Sequence, residues 1–570
     1  MDKLFKTAGF PAFILILFLN AFVDLGHKIL IQNTIFKIYD NDTQIILTAI
    51  VNGLILLPFL LLFSPAGFLS DRHPKPRIIR ISAGVAVGLT LLITLFYYLG
   101  WFELAFGMTF LLAVQSAIYS PAKYGFIKEL SGKERLATAN AVVQAVTIVA
   151  ILLGIFVFSL LFETMLQGVN YRSESEILQA IAPLGWLLVL CSLVEYYNAR
   201  RLPPGKVEAK EMRFDWSSYR SGGYLKTNLK RIFSHRVIWL SIIGLSMIWG
   251  ISQVVLATFP AHAKEVLGEQ NTVVIQGLLA CSSIGIILGS LIAGGTSRHH
   301  IETGLIPVGA LGVVAALFFI PQLTSPGLLA IDFLFLGTAA GMFIVPLNAL
   351  IQYHAREHEL GTVLAGSNWV QNLVMLSFLL LTVFFTLTGS SSFGLFHLLT
   401  LVALGGAVYT VWQLPQSLVR YLISRIFAGG YRIEIVGFDN LPARGGVLML
   451  GNHISWLDWA MVQIASPRPV RFVMHQSYYQ RWYLKWFLDF FGVIPIAGGQ
   501  SKEALERITR LLNAGEVVCL FPEGAISRNG QLGEFKRGYE RAAEGVEKAI
   551  ILPFYPVSYT HLTLPTTRLV

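Results

Sequence analysis

The chain has 570 residues, 54% of them hydrophobic and 13% charged. Soluble domains carry about 25% charged residues, so this balance excludes a wholly soluble protein. The net charge of +10 is not a nucleic-acid footprint, because the Lys and Arg cluster between apolar blocks, as in loops held on the cytoplasmic face of a membrane.

The N-terminus "MDKLFKTAGF" runs straight into a long apolar stretch without a small-residue cleavage site, which predicts an uncleaved first span. Apolar blocks long enough to cross a hydrocarbon core of about 20 residues recur at 9–30, 44–69, 79–99, 103–121, 139–163, 179–198, 237–258, 272–295, 303–321, 327–350, 362–388 and 391–413. That pattern predicts about twelve spans. Arg72, Lys75, Arg77 and Arg80 follow the second block, and Lys123, Lys128, Lys133 and Arg135 follow the fourth. Ten more Lys and Arg, from Arg200 to Arg236, lie between the sixth and seventh. Alternate loops are nearly bare, with Lys37, Arg172 and Lys264 the main exceptions. The bias places the even-numbered loops and both termini in the cytoplasm. A weak repeat, "SAIYSPAKYGFIKELSGKERLATANAVVQ" (116–144) against "GMFIVPLNALIQYHAREHELGTVLAGSNWVQ" (341–371), suggests two parallel six-helix halves. Cys191, Cys281 and Cys519 show no paired or metal-ligand spacing, so neither a disulfide framework nor a metal site is expected.

After 413 the character changes. Residues 414–430 form a basic amphipathic linker suited to a membrane surface. From 431 to 557, the strand-like runs "RIEIV", "GVLML", "VRFVM", "EVVCLF" and "AIILPF" alternate with helical stretches such as 477–491 and 501–513. Such alternation predicts an α/β domain.

Within the first span, Asp24 is a carboxylate in an apolar helix, which is costly and marks a functional site by default. Lys28, four residues on, either pairs with Asp24 on one helix face or reaches toward the outer interface. "GFLSDRHPKPRIIR" (67–80) combines Gly67, which permits close helix approach, with Asp71 and Arg72, which can form a latch that breaks as the halves rock. This loop resembles the signature loop of the major facilitator superfamily. Its second-half counterpart, "AGGTSRHHIETG" (293–304), keeps Arg298 but has Ser297 in place of the Asp. "YSPAKYGFIKEL" (119–130) and "ANAVVQAVTIVAILLG" (139–154) resemble the bacterial lysophospholipid transporters of that superfamily, and the likeness extends loosely over 9–413. It implies a major facilitator-type transporter over 1–413, lysophospholipid as cargo, and a transport role for Asp24, Asp71 and Arg72.

The first chemical motif of the second part is "GNHISWLDWA" (451–460). His453 would emerge at the carboxyl end of a buried strand, where α/β folds place ligands. Asp458, five residues on, can hold its ring and tautomer so that it serves as a general base toward an alcohol. Ser455 suggests a nucleophile but is not needed for such a step. The second motif, "CLFPEGAISRNGQLGEFKRGYERAA" (519–543), places Glu523, Gly524 and Arg528 where they can bind a glycerol hydroxyl and a phosphate. Lys536 and Arg537 form a basic rim. Together with "ILPFYPV" (551–557), these stretches resemble the glycerolipid acyltransferase family, with Asn452–Asp458 as its first block and Phe521–Ser527 as its third. The resemblance implies a catalytic dyad of His453 and Asp458 and an acceptor site at Glu523 and Gly524. The second block, "GVIPIAGGQ" (492–500), lacks the frequent Arg, and Ala525-Ile526 replaces the frequent Thr-Arg. Both departures favour a phosphodiester head group, as in lysophosphatidylethanolamine, over a phosphate monoester. "YYQRWYLKWFLDFFGV" (478–493) predicts an interfacial helix that admits acyl chains.

The expected protein is thus a polytopic α-helical membrane protein, a 12-span major facilitator fold of two six-helix halves, followed by a cytoplasmic α/β glycerolipid acyltransferase domain. It resembles bacterial fusions in which a transported lysophospholipid is re-acylated at the inner membrane. Membrane lipids and lysophospholipid are the expected partners, with acyl-carrier protein or coenzyme A carrying the acyl donor and no bound cofactor. Those fusions usually continue into an adenylate-forming domain, of which nothing is seen. The tail "SYTHLTLPTTRLV" (558–570) reads as non-native and is expected to be disordered. Two other readings stay open: a transporter with a non-catalytic lipid-binding module, and a 1-acylglycerol-3-phosphate acyltransferase joined to a transporter of another substrate.

Overall fold

The computed structural model describes residues 5–131, 136–205, 215–233, 235–297, 301–355, 360–428, 432–435, 437, 440–442, 444–466, 468–497, 501–527, 533–546, 549–561 and 564–569. They divide into two compact units, Met1–Ser290 with Gly309–Ala407 and Leu291–Val308 with Val408–Val570.

The first unit is helical. Its helices are α1 (Phe10–Ile38), α2 (Asn41–Leu61), α3 (Phe63–Arg72), α4 (Lys75–Leu99), α5 (Phe102–Ser131), α6 (Leu136–Leu166), α7 (Glu174–Ile181), α8 (Pro183–Arg200), α9 (Trp216–Arg220), α10 (Gly223–Phe233), α11 (Arg236–Leu267), α12 (Thr272–Thr296), α13 (Leu305–Phe319), α14 (Pro326–His354), α15 (Leu360–Leu387) and α16 (Ser392–Gln413), three of which run on into the second unit. Among the described residues, 11 helices are long and apolar enough to cross a membrane, or up to 12 when the pair α7 and α8, bent by 54°, forms one span.

Two expected spans are broken, both at proline. The block 179–198 divides at Pro183, which begins α8. The block 44–69 divides between Leu61 and Phe63, because Pro65 has no N–H to donate to the Leu61 carbonyl. Glycines allow α12 and α14 to approach backbone to backbone. Gly285 and Gly289 of α12 face Gly337 and Gly341 of α14. A Cβ on Gly289 would lie 2.0 Å from the Thr338 carbonyl oxygen, and one on Gly337 would lie 1.9 Å from that of Ser282. Small residues four apart let membrane helices touch backbone to backbone, where packing rather than the hydrophobic effect drives association.

The second unit carries β1 (Arg432–Ile435), β2 (Gly446–Gly451), β3 (Val470–His475), β4 (Ile494–Ile496), β5 (Val517–Leu520), β6 (Ala549–Phe554), β7 (Pro556–His561) and β8 (Leu564–Leu569). Its helices are α17 (Pro415–Ala428), α18 (Asp458–Ala465), α19 (Gln476–Tyr479), α20 (Trp482–Phe490), α21 (Ser501–Asn513) and α22 (Gly538–Glu544). A five-stranded sheet runs in the order β4-β3-β5-β2-β6, and every pairing is parallel. Parallel sheets are buried on both faces, and β2 shows why its run is apolar throughout. Val447 and Met449 enter one core cluster with Met461 and Phe472, while Leu448 and Leu450 enter the other with Ile508 and Leu512.

Two expectations are corrected here. The stretch 477–491 is two helices, α19 and α20, with Gln480 and Arg481 between them. Within the tail, β7 and β8 pair antiparallel, and β8 pairs parallel with β1. Its Thr and Val content suits strands. β1 therefore belongs to this small sheet and not to the main one. The linker helix α17 also departs from a purely superficial helix. Arg420, 6% exposed, donates to Glu302 Oε1 at 3.1 Å and to the Ser466 carbonyl at 3.1 Å, whereas Leu422 and Ile426 are exposed.

Candidate functional site

Strand β2 ends at Gly451, where a Cβ would lie 2.2 Å from the Phe554 ring of β6. The chain then leaves the sheet, turns through 452–457 and enters α18 at Asp458. Asp458 ties this turn together. Its Oδ2 accepts from the backbone N–H of Ile454 at 2.8 Å, from that of Ser455 at 3.0 Å and from His453 Nδ1 at 2.8 Å. The carboxylate is 3% exposed and the His453 side chain 22%. An ionised carboxylate only accepts, so Nδ1 carries the proton and Nε2 keeps its lone pair. The ring also stacks on Phe521, with centroids 4.3 Å apart and planes 16° apart. Tautomer, position and tilt of the imidazole are all fixed by the protein.

The second motif is bonded to the first. Glu523 Oε1 accepts from the His453 N–H at 3.3 Å, and the Ser527 N–H donates to the His453 carbonyl at 2.7 Å. Glu523 is thereby an anchor of the histidine loop as well as a candidate acceptor ligand. Gly524 has φ +71°, a left-handed conformation that favours glycine, and the Lys536 Nζ lies 2.8 Å from where its Cβ would be. Lys536, expected only on a basic rim, thus stands directly over the turn. Arg528 lies outside the described residues.

Two other polar groups border the dyad. Ser455 Oγ accepts from the Leu457 N–H at 3.2 Å and shapes the loop, which is not a nucleophile's arrangement. Cys519 on β5 is fully buried, and burial, reinforced by the Asp458 charge, pushes its thiol well above the ordinary cysteine range. It stays protonated and unreactive. Asn452 is 1% exposed, and neither its Oδ1 nor its Nδ2 has a hydrogen-bond partner among the described residues. On the approach to the loop, Trp456 meets Tyr478 edge-on at 5.0 Å, and Trp482 and Trp486 are 86% and 69% exposed.

In the helical unit, Asp24 accepts a hydrogen bond from Ser116, and Glu195 of α8, 1% exposed, lies within electrostatic reach of it. Lys28 does not pair with Asp24. It lines a cavity with Gln32 and Asn33. His27 is a satisfied core residue, bonded to the Tyr97 hydroxyl at 2.7 Å and the Ala105 carbonyl at 3.1 Å. Asp71 and Arg72 end α3. The Asp71 side chain lies outside the described residues, and Arg72 stands over the Phe68 ring. The ion pair closing this loop is Lys75–Glu129, at 2.9 Å and largely buried. Glu195 and Glu129 were not singled out from the sequence. Glu195 could have been, as an acid inside the apolar run "LLVLCSLVEYY".

Comparison with known proteins agrees with this division. The Major Facilitator Superfamily model matches residues 13–378, and the Acyltransferase model matches 432–560. The chain is 28% identical over 379 residues to the lysophospholipid transporter LplT of Photorhabdus laumondii, covering 65% of this chain and 86% of that protein. It is 27% identical over 384 residues to LplT of Escherichia fergusonii, covering 65% and 87%. Among solved structures, a POT family transporter in complex with a thioalcohol-conjugated peptide is similar at TM-score 0.56 and 10% identity, covering 72% of this chain and 98% of the other. A D-xylose–proton symporter is similar at 0.54 and 15%, covering 70% and 96%. These structural likenesses establish the fold alone. The helical part is a multi-pass membrane transporter fold, and the parallel sheet bearing His453 lies in the stretch matched as acyltransferase. The chain belongs to the major facilitator superfamily and carries an acyltransferase domain at its carboxy-terminal end.

Proposed function

We propose that the protein moves lysophospholipid across a bacterial inner membrane and restores its missing acyl chain. The LplT-like helices support the cargo assignment, and the acyltransferase domain supports the second step. In that step His453 Nε2 takes the proton of the free glycerol hydroxyl. The oxygen attacks the thioester carbonyl of the donor, a new ester forms, the C–S bond breaks, and the thiol leaves with the proton returned by His453. Asp458 stabilises the imidazolium without itself becoming protonated. Lys536 and the Gly524 turn bind the acceptor phosphate, with Arg528 contributing from the same loop. The acceptor carries a phosphodiester head group of the lysophosphatidylethanolamine type, and the donor is acyl-carrier protein or coenzyme A. Both termini and the acyltransferase domain face the cytoplasm, and Asp24, Asp71 and Arg72 serve transport.

The observation that carries the enzymatic half is the His453–Asp458 bond, with Nε2 free of hydrogen bonds among the described residues. Membranes containing the His453→Ala chain should lose acylation of lysophosphatidylethanolamine by at least about a hundredfold. Unchanged acylation would remove the enzymatic reading. Preference of the wild type for lysophosphatidic acid would remove the acceptor assignment.

A further inference from the structure

The cavity beside Lys28 lies where the two halves of the transporter fold meet. It draws Lys28, Gln32 and Asn33 from α1 and Thr48 from α2, and Thr272 and Gln276 from α12, around a small space of about 30 Å³. Leu256 and Leu279 contribute to an apolar side of the wall.

The amides bond both across the halves and within the first. Gln276 Nε2 donates to Asn33 Oδ1 at 3.4 Å, Asn33 Nδ2 donates to Ser159 at 3.3 Å, and Gln32 Nε2 donates to Asn52 at 3.2 Å. Lys28 is outside these bonds and makes no ion pair among the described residues. The acids around it are committed elsewhere: Asp24 to Ser116, and Glu163 to Lys37 at 2.9 Å and to the Thr272 N–H at 2.6 Å. Thr272 Oγ1 and Asn52 Nδ2 are buried without partners among the described residues. A cation and spare donors in low-dielectric surroundings are costly unless an anion completes them.

The geometry points to Lys28 as the group that binds the phosphodiester of the transported lipid, with the cavity amides as further donors and the leucine side facing its glycerol and chain. This rests on the lysophospholipid reading above and assigns its head-group site.

The test uses the full chain in proteoliposomes of neutral phospholipid, scoring inward movement of fluorescent lysophosphatidylethanolamine and of fluorescent monoacylglycerol, which lacks the phosphate. The wild type should move the former at least tenfold faster. Lys28→Met, an apolar side chain of similar length, should raise KM for it at least tenfold, and Lys28→Arg should stay within threefold of wild type. Glycerophosphoethanolamine should compete in the wild type, and inorganic phosphate should not. Equal wild-type rates for the two lipids overturn the inference without any variant, as does a Lys28→Met chain with wild-type KM or competition by inorganic phosphate alone. If the wild type moves no lysophospholipid at all, the transport reading falls, and this assignment falls with it.

Discussion

The histidine loop and the transport cavity are both polar islands in apolar surroundings, finished to different degrees. Around His453 the working atoms are matched. Asp458 Oδ2 has three donors, Glu523 holds the loop's N–H, and Ser527 holds its carbonyl. In the helical unit the matching is incomplete. Gln44 of α2 is fully buried with both amide atoms unpartnered among the described residues, as are one atom each of Asn52 and Thr272. A base must sit in one geometry at the moment of reaction. A transporter passes between at least two packings, and a group orphaned in one can be paired in the other. The difference teaches that the groups which fix the base are matched, although Asn452 beside them is not, while in the helical unit orphaned atoms recur along α2 and α12.

The contrast is tested hardest at Asp458. Asp458→Asn keeps the shape but withdraws the acceptor that sets the tautomer. Acyl transfer should fall by about 10²–10⁴-fold, while lysophospholipid movement by the same protein stays within twofold. A parallel loss of transport would mean the two islands are not separable. Next is Arg420, whose guanidinium bonds Glu302 and the Ser466 carbonyl outside the active site. Arg420→Ala removes the buried partner of Glu302, and such losses cost about 3–5 kcal/mol, visible as a lowered denaturation midpoint. Arg420→Met with Glu302→Gln should recover most of it. Gln44→Leu should act in the opposite sense, raising stability by about 1–3 kcal/mol as an unpaired buried amide is removed while slowing transport. If stability drops, Gln44 is paired after all and the contrast weakens. The smallest effect is expected for Ser455→Ala, with acyl transfer within about threefold, since its hydroxyl only accepts from Leu457 N–H in the loop.

What the sequence reveals follows the range of each interaction. His453 and Asp458 are five residues apart, so one turn brings them together, and a strand followed by a polar turn could be read directly. Glu523 is seventy positions on, and its motif was legible, but its bond to the His453 N–H was not, because only the β2–β5 pairing brings the two turns side by side. Asp24 was visible as an acid in an apolar helix. The sequence left Lys28 open between pairing with Asp24 and reaching the interface; the structure shows no Asp24 pairing, and the cavity it lines with Gln276 depends on residues far apart in sequence. The breaks at Pro65 and Pro183 were readable in principle, yet hydropathy smooths over proline.

The strand order has a consequence for synthesis. β2, which ends at the histidine loop, lies between β5 and β6, and β6 is Ala549–Phe554. As the chain leaves the ribosome, the transporter helices emerge first, and β2 follows with neither neighbour yet made. Parallel pairings of this sequence separation form slowly. The helices can therefore enter the bilayer and settle while the histidine loop is still unshaped, and the base is assembled only after residue 554 has emerged. During that interval the apolar β2 run is without its partners and is open to encounters with other nascent chains.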